Sequence, residues 1–283
     1  MYVVIWRKHQ FDSASNLCER AADRSVGVGT RGYRPAMPTG PSLEAVFPAC
    51  YGCGHYADGR VSTCFVCAGR QLSRPTSAAC PLCAQHLRSD GLCPNELCRS
   101  PRRRITKIHA IGYQSGALRR AINSYKYRGS RGLSVVFARL LLAWLEQNMA
   151  ADPPGLIVAN PSFVGPGGQE FAHTETVIAA ARAATSEACW AFDTATPAAV
   201  IKVAPTLKSA DAQAWSKRAV GYELDAALRV PDPERTEGKF ALVYDDICTT
   251  GTQLDAVAGC LLDLGRAARV EGVVLARAPW RGT

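Results

Sequence analysis

The stretch FALVYDDICTTGTQL, residues 240–254, decides the fold class that we expect for this chain. Its first five residues are apolar without alternation, which is typical of a strand covered on both faces in a parallel sheet. Asp245 and Asp246 follow where this strand is predicted to end. Because ligands of open α/β sheets collect at the carboxyl ends of strands, the stretch predicts an α/β protein with a ligand site at these two acids.

A small hydroxyl-rich loop comes next, residues 249–252, which we call the threonine loop. It supplies three threonines and one glycine, and apolar residues at helical spacing from Leu254 to Leu264 predict a helix directly after it. Unpaired N–H groups and the helix dipole favour an anion at such a position, so the loop is predicted to hold a phosphate. The alternative, an ordinary helix cap, would explain one acid but not the threonines.

The order of apolar strand, Asp-Asp, two residues and Thr-Thr-Gly-Thr closely resembles the motif with which type I phosphoribosyltransferases bind phosphoribosyl diphosphate (PRPP). The resemblance implies that Asp245 and Asp246 hold the ribose hydroxyls and act as the catalytic, charge-stabilising residues. It assigns the ribose 5′-phosphate to Cys248, Thr249, Thr250, Gly251 and Thr252. Mg²⁺ is expected together with PRPP, because it neutralises the departing pyrophosphate.

Eight of the twelve cysteines lie between residues 50 and 98, in four closely spaced pairs. A Cys-x2-Cys turn places two thiolates at a spacing that suits Zn²⁺, and two such turns complete a tetrahedral shell. The predicted ligands are Cys50, Cys53, Cys64, Cys67, Cys80, Cys83, Cys93 and Cys98. A closed thiolate shell has no position for a reacting water, so the zinc is predicted to support folding and to present a surface.

The cysteine spacing leaves the number and the pairing of the zinc sites open. Consecutive ribbons would join the first cysteine pair with the second, whereas a crossed arrangement would join the first pair with the third. The gap between Cys93 and Cys98 is longer than the others, so either residue could be replaced by His86 or His55, or a single site could be filled.

The formal net charge of +9 comes from one basic segment, residues 99–131. It contains ten Lys or Arg and no acid, whereas the rest of the chain has 23 basic and 24 acidic residues. Residues 125–129 interleave aromatic and cationic side chains, which suits phosphate contacts and base stacking. We predict contacts with single-stranded nucleic acid at Lys126, Arg128 and Arg131, with a solvated helix face as the alternative interpretation.

The periodicity of the chain predicts a parallel sheet flanked by helices, and the paired cysteines before it predict a small zinc ribbon. The resemblance to type I phosphoribosyltransferases implies that the sheet has that family's fold. Predicted strands cover residues 108–113, 155–161, 198–203, 240–244 and 270–277, and predicted helices cover 118–125, 133–145, 173–185, 207–222 and 254–264. We expect a disordered or loosely attached segment over 1–42, the zinc-ribbon module over 43–100 and the larger domain over 101–283. Met37 is an alternative start codon to Met1. Without a long apolar run or a secretory signal, the expectation is a cytoplasmic protein with no membrane insertion.

The cysteine pairs, the element YKYRGSRG (residues 125–132) and the PRPP-type motif together make the chain similar to the ComF family, from about residue 43 onward. ComF proteins join a zinc ribbon to a phosphoribosyltransferase domain. Since this family is associated with DNA uptake in natural competence, the resemblance implies single-stranded DNA and the competence machinery as partners, besides PRPP.

The chain departs from this family in the loop after the first predicted core strand, residues 160–162, which we call the proline loop. The family carries several arginines there, whereas this chain has no Lys or Arg from residue 155 to residue 181. Cations could instead come from the region that resembles the family's mobile loop, although plain surface charges are an equal interpretation. The predicted pyrophosphate-binding residues are Asn160, Pro161, Ser162, Lys208 and Arg218.

Two functions follow as expectations. The leading one is a PRPP-binding protein of the phosphoribosyltransferase class, linked to DNA uptake or nucleotide metabolism. The alternative is a non-catalytic adaptor that binds single-stranded nucleic acid and has a vestigial or regulatory PRPP site. The missing arginines favour the adaptor, whereas the intact acids and threonine loop favour the enzyme.

Overall fold

The computed structural model describes residues 65–185, 189–206 and 217–279. The predicted N-terminal segment 1–42 lies outside these residues, as do Cys50, Cys53, Cys64 and Lys208. Arg218 belongs to a described helix, but its side chain lies outside the described part.

The described residues contain six strands, seven α-helices and one 3-10 helix. The strands are β1 (Lys107–Tyr113), β2 (Leu156–Ala159), β3 (Ile201–Lys202), β4 (Leu228–Arg229), β5 (Phe240–Cys248) and β6 (Arg269–Arg277). The helices are α1 (Phe65–Arg70), α2 (Glu96–Arg99), α3 (Gly116–Tyr127), α4 (Leu133–Asn148), α5 (His173–Ala183), α6 (Lys217–Ala227) and α7 (Thr252–Asp263), with the 3-10 helix at Pro233–Arg235.

Four parallel strands form the central sheet, in the order β1-β6-β5-β2. β5 pairs on both edges, and Leu242 and Val243 within it are fully buried, as its uninterrupted apolar sequence predicts. The segment around Phe192 lies beside β2 and extends the sheet through backbone hydrogen bonds with Ile157. The expected α/β class, a parallel sheet flanked by helices, is therefore confirmed.

Helices cover both faces of the sheet, because successive strand residues point to opposite sides. Leu242 and Tyr244 pack in one core with α3, α4 and α5. The alternate residues of β5 face a second core, which contains α7 and also Cys80 and Cys83. The segment that carries Cys80 and Cys83 is thereby packed against the sheet.

β5 ends later than its sequence predicts. It continues past Tyr244 to Cys248, because Asp245, Ile247 and Cys248 pair with the last residues of β6. The two acids consequently lie inside the last part of the strand, and the threonine loop begins directly at its end.

The predicted core strand over residues 198–203 is wrong as a member of the central sheet. Ala199 and Val200 are buried, but only Ile201 and Lys202 form a strand. This strand β3 pairs antiparallel with β4, so its backbone hydrogen bonds go to β4 and not to the central sheet. The apolar run is therefore explained by burial and not by membership of the parallel sheet.

Helices α3, α4, α5 and α7 confirm the predicted helical periodicity, with ends that differ by a few residues. α6 covers only the last part of the predicted helix over 207–222, and residues 207–216 lie outside the described part. Within residues 65–185, 189–206 and 217–279, no helix has the length and apolar character needed to span a bilayer.

Candidate functional site

Asp246 forms a buried ion pair near the carboxyl end of β5. The ammonium nitrogen of Lys126 lies 2.8 Å from Oδ1 and 2.7 Å from Oδ2 of this carboxylate. Lys126 comes from the last turn of α3, and burial opposes its charge. The attraction of Asp246 outweighs burial, so that the pKa of Lys126 is raised above its ordinary value. Lys126 is thus charged, and the pair is fixed at the edge of the sheet.

Asp245 has an unusual proton affinity. Burial, followed by the charge of Asp246, raises its pKa from 3.8 to about 7, although Lys126 and Asn160 act in the opposite direction. Its Oδ1 accepts a hydrogen bond of 2.8 Å from the backbone N–H of Asp246. Asp245 therefore changes its protonation near neutral pH, a property that carboxyl groups at functional sites often have.

The threonine loop turns into α7 at Gly251, which has φ 85° and ψ 3°. A Cβ at this position would lie 2.8 Å from Cδ1 of Ile108 and 3.0 Å from Cδ2 of Leu97. Only glycine satisfies both the left-handed backbone and this close packing. The glycine of the motif therefore has a structural cause that is independent of any ligand.

Three backbone N–H groups of the threonine loop have no partner within the described residues, whereas that of Thr252 donates to the hydroxyl of Thr250 over 3.3 Å. Those of Thr249, Thr250 and Gly251 donate to no other atom of the described residues. The hydroxyls of Thr250 and Thr252 lie 2.9 Å apart, at the start of the twelve-residue helix α7. Successive unpaired amides at a helix N-terminus form a concave site that favours an anion.

Cys248 lies beneath the threonine loop. Its thiol is buried, 2.9 Å from Nη1 of Arg277, and burial raises its pKa to about 12. Of the residues predicted to bind the ribose phosphate, Cys248 therefore has its side chain in the protein interior, whereas Thr249, Thr250, Gly251 and Thr252 form the loop itself.

The proline loop follows β2 and lies beside the acids. The backbone N–H of Asn160, which is buried, donates to the carbonyl oxygen of Tyr244 over 2.7 Å. Its amide oxygen accepts a hydrogen bond of 3.2 Å from Gln253 of α7. The sheet thus brings together the two loops that the sequence assigned to phosphate and pyrophosphate.

The carboxylate of Glu175 accepts hydrogen bonds from the donors of the proline loop. Glu175, in the first turn of α5, accepts from the backbone N–H of Ser162 over 2.7 Å and from its hydroxyl over 3.0 Å. It also accepts from the hydroxyl of Thr174 over 2.9 Å. An incoming pyrophosphate would compete with Glu175 for these donors.

Glu175 and His173 are site residues that motif analysis did not single out. His173 is 7% exposed, and neither ring nitrogen has a hydrogen-bond partner within the described residues. Burial, and then the charge of Lys126, lower its pKa, so that it is uncharged at neutral pH. Their position shortly after the proline loop is the one feature of the sequence that could have indicated a role at the site. Neither residue interrupts the helical periodicity of α5.

The basic segment 99–131 divides into an internal and an exposed set. Arg103 donates to the carbonyl oxygens of Cys98 and Ile105, and Arg104 pairs with two acids of α6 and α7. With Lys126 they form the internal set. The exposed set is Arg99, Arg102, Lys107, Arg119, Arg120, Arg128 and Arg131.

The residues predicted to bind nucleic acid are therefore in different surroundings. Lys126 is 16% exposed at Asp246, whereas Arg128 and Arg131 are exposed. The guanidinium of Arg131 lies 3.4 Å from the centre of the Phe171 ring. Of the tyrosines in this element, Tyr125 is fully buried and Tyr127 is 74% exposed. Of these two tyrosines, Tyr127 is therefore the one that could stack on a base.

Four of the predicted zinc ligands come together in the structure. The sulfur atoms of Cys80 and Cys98 are 3.9 Å apart, those of Cys83 and Cys93 are 3.6 Å apart, and all four lie within 4.8 Å of one another. Tetrahedral Zn–S bonds of about 2.3 Å require S···S distances of roughly 3.8 Å. The four cysteines, which we call the cysteine centre, could therefore bind a structural metal such as zinc.

The cysteine centre joins the third predicted pair with the fourth, as the arrangement of consecutive ribbons expects, whereas the crossed arrangement involves Cys50 and Cys53, which lie outside the described part. His86 stacks on Tyr113, with ring centroids 4.2 Å apart, and does not replace Cys93 or Cys98. Among the described residues, Cys67 does not belong to this centre. Its predicted partners Cys50, Cys53 and Cys64, like His55, lie outside the described part.

Comparison of the chain with models of known protein families and with curated proteins found no match in either set.

Proposed function

We propose that this protein binds PRPP, through its ribose 5-phosphate part, and that it has the fold of the type I phosphoribosyltransferases. The observation that carries the proposal is the set of three N–H groups at residues 249–251 that have no partner within the described residues and follow shortly after the acids of β5. A phosphate accepts from such N–H groups, and ribose hydroxyls donate to carboxylates.

The same residues have defined roles in a transfer reaction. As the bond between C1 and pyrophosphate breaks, C1 becomes positive, and the carboxylates of Asp245 and Asp246 stabilise it. Lys126 holds Asp246 in place through its ion pair. Mg²⁺ bound with PRPP would neutralise the leaving pyrophosphate. A nitrogen nucleophile then forms the new bond to C1, so no side chain of the protein has to act as nucleophile.

Calorimetric titration of PRPP with Mg²⁺ tests this proposal. The double variant Asp245→Asn/Asp246→Asn should bind at least about tenfold more weakly, because charge-assisted hydrogen bonds to the ribose are lost. Asp263→Asn is the matched control, since this acid is exposed at the end of α7. Equal affinities of the double variant and the wild type would contradict the assignment.

Binding of single-stranded nucleic acid is the second candidate function. Arg119, Arg120, Arg128 and Arg131 are exposed on and after α3, next to the exposed Tyr127. An unopposed group of cations with an aromatic side chain suits a strand's phosphates and bases. A cytoplasmic location and a role with the DNA-uptake machinery belong to the same proposal and rest on the family resemblance.

The salt dependence of DNA binding tests this second candidate. Arg128→Ala/Arg131→Ala should weaken binding of a single strand and reduce the salt slope by roughly 0.7 for each lost phosphate contact. Lys126→Ala should affect PRPP more than DNA, because Lys126 is engaged at Asp246. Arg266→Ala, at an exposed position after α7, is the control. An unchanged salt slope in the double variant would count against nucleic-acid binding at this surface.

A further inference from the structure

Arg277 at the end of β6 joins the cysteine centre to the threonine loop. Its side chain is fully buried, and its Nη1 donates to the backbone carbonyl oxygens of Cys248, over 2.9 Å, and of Thr249. Its Nη2 lies 3.7 Å from the sulfur of Cys83. One guanidinium therefore contacts both a metal ligand of the cysteine centre and the loop predicted to hold phosphate.

The charge of Arg277 has no carboxylate partner within the described residues. A buried guanidinium is stable only when a negative charge compensates it. Four thiolates and one Zn²⁺ together carry two net negative charges, and Cys83 is one of these thiolates. A zinc-loaded centre would thus supply the counter-charge that keeps Arg277 under the loop.

Asn95 provides a second connection. It lies between Cys93 and Cys98, is 2% exposed, and its Nδ2 donates to the carbonyl oxygen of Thr250 over 2.9 Å. Its Oδ1 accepts from the backbone N–H of Leu97 and caps α2. The position of Asn95 is therefore set by the same residues that bring the cysteine ligands together.

These contacts decide where the N–H groups of the threonine loop point. In a trans peptide the C=O and N–H bonds point in opposite directions. The carbonyl oxygens of residues 248–250 are held by Arg277 and Asn95, on the side of the cysteine centre. The N–H groups of residues 249–251 therefore point away from that centre, where they remain unpaired.

We infer that the cysteine centre positions the threonine loop through Arg277 and Asn95, so that binding of the metal and binding of a phosphosugar strengthen each other. The inference rests on the proposed function for the identity of the ligand. Neither residue touches that ligand in this scheme; both are positioning residues. Linkage requires that the phosphosugar tighten zinc binding by the same factor by which zinc tightens phosphosugar binding.

Asn95→Ser is the sharpest test variant, because serine retains an acceptor for the helix cap but is too short to donate to Thr250. Gln85→Ala is its matched control: Gln85 is an equally buried amide that donates to the carbonyl oxygen of Ala278, over 3.1 Å, and not to the loop. Arg277→Lys is a second variant, which keeps the charge but loses the fork that reaches both the loop and Cys83.

The measurement is calorimetry with ribose 5-phosphate on the full chain, with zinc content determined for each sample. Removal of zinc from the wild type should weaken binding about tenfold, within the usual range of coupling. Zinc-loaded Asn95→Ser and Arg277→Lys should each bind about fivefold more weakly, as expected for one lost hydrogen bond. Gln85→Ala should bind like the wild type. In chelator competition, saturating ribose 5-phosphate should tighten zinc binding about tenfold in the wild type and less in Asn95→Ser.

If Asn95→Ser binds ribose 5-phosphate as tightly as the wild type at full zinc occupancy, the inference is overturned. It is also overturned if Gln85→Ala loses as much affinity for ribose 5-phosphate as Asn95→Ser. If the zinc-loaded wild type binds no ribose 5-phosphate, the proposed function fails by itself. Hydrogen exchange of the amides of residues 249–251 then decides: faster exchange in Asn95→Ser than in Gln85→Ala supports the positioning role, and equal exchange rejects it.

Discussion

The threonine loop after β5 and the proline loop after β2 lie at the ends of neighbouring strands, yet they offer opposite surfaces to an anion. In the threonine loop Arg277 and Asn95 hold the carbonyl oxygens, and three N–H groups donate to no atom in the part of the chain that the structure describes. In the proline loop both donors of Ser162 already bind Glu175. A loop at a strand end is therefore ready for a phosphate only where the chain leaves its donors free.

This contrast bears on the ligand. The threonine loop and the acids suit a ribose with one phosphate, whereas the proline loop has a carboxylate where pyrophosphate would need donors. A cation in this segment would pair with Glu175, and the chain has no Lys or Arg from residue 155 to residue 181. The carboxylate of Glu175 therefore binds Ser162 and not a cation of this segment. Binding of the ribose phosphate half is thus better supported than turnover of PRPP.

The largest effect is expected from Gly251→Ala, which breaks the threonine loop. The new Cβ meets Ile108 and Leu97 on a left-handed backbone, so we expect a loss of about 3 kcal/mol in unfolding free energy and of most phosphosugar affinity. Urea unfolding and calorimetry measure both. Gly238→Ala is the control, because Gly238 has φ 66° with open space around it and should lose only about 1 kcal/mol. Equal losses in the two variants would show that packing against Ile108 is unimportant.

A smaller effect, dependent on pH, is expected from Asp245→Asn. The folded pKa of about 7 exceeds the ordinary 3.8, so the folded protein binds this proton more tightly. The stabilisation that this proton gives to the folded protein is fully present below about pH 4 and is lost as the pH rises through about 7. Because asparagine has no charge to bury, the variant should be about 2 kcal/mol more stable than the wild type at pH 8. This gain is smaller than the whole pKa shift of Asp245 would give, since Asp245 is partly exposed.

Urea unfolding at pH 8 and pH 5 measures this difference, which should shrink at the lower pH. The same variant should lose affinity for ribose 5-phosphate at pH 8. A variant that is less stable than the wild type at pH 8 would show that the ionised carboxylate of Asp245 is stabilised by its surroundings.

The smallest effect should come from Glu175→Gln, which makes the proline loop more similar to the threonine loop. The amide retains an acceptor for Ser162 but removes a negative charge, so inorganic pyrophosphate should bind about fivefold more tightly while stability changes little. Glu170→Gln, an exposed acid before α5, is the matched control. An unchanged affinity in Glu175→Gln would mean that this carboxylate does not limit anion binding.

Local patterns were sufficient for much of the fold. The uninterrupted apolar run of β5, the helical spacing of Leu133 to Leu145 and the paired cysteines each have a cause within a few residues of sequence. The parallel sheet, α4 and the four-cysteine cluster were accordingly predictable.

Features that depend on distant partners were not predictable. β5 reaches Cys248 because β6 supplies hydrogen bonds there, and the 198–203 run leaves the central sheet because β4 pairs with it. The sequence places Lys126 among the cations expected to contact nucleic acid, because its partner Asp246 is 120 residues away. Glu175 was missed because its role depends on the path of the proline loop around it.

The dependence of the threonine loop on remote side chains has a consequence for protein engineering. Asn95 is 155 residues away from Thr250 in the chain, and Arg277 comes from the next strand. A graft of residues 240–254 onto the strand and helix of another scaffold would transfer the motif without the groups that hold its carbonyl oxygens. Such a chimaera would have to include equivalents of Arg277 and Asn95 before its amides could be expected to face a ligand.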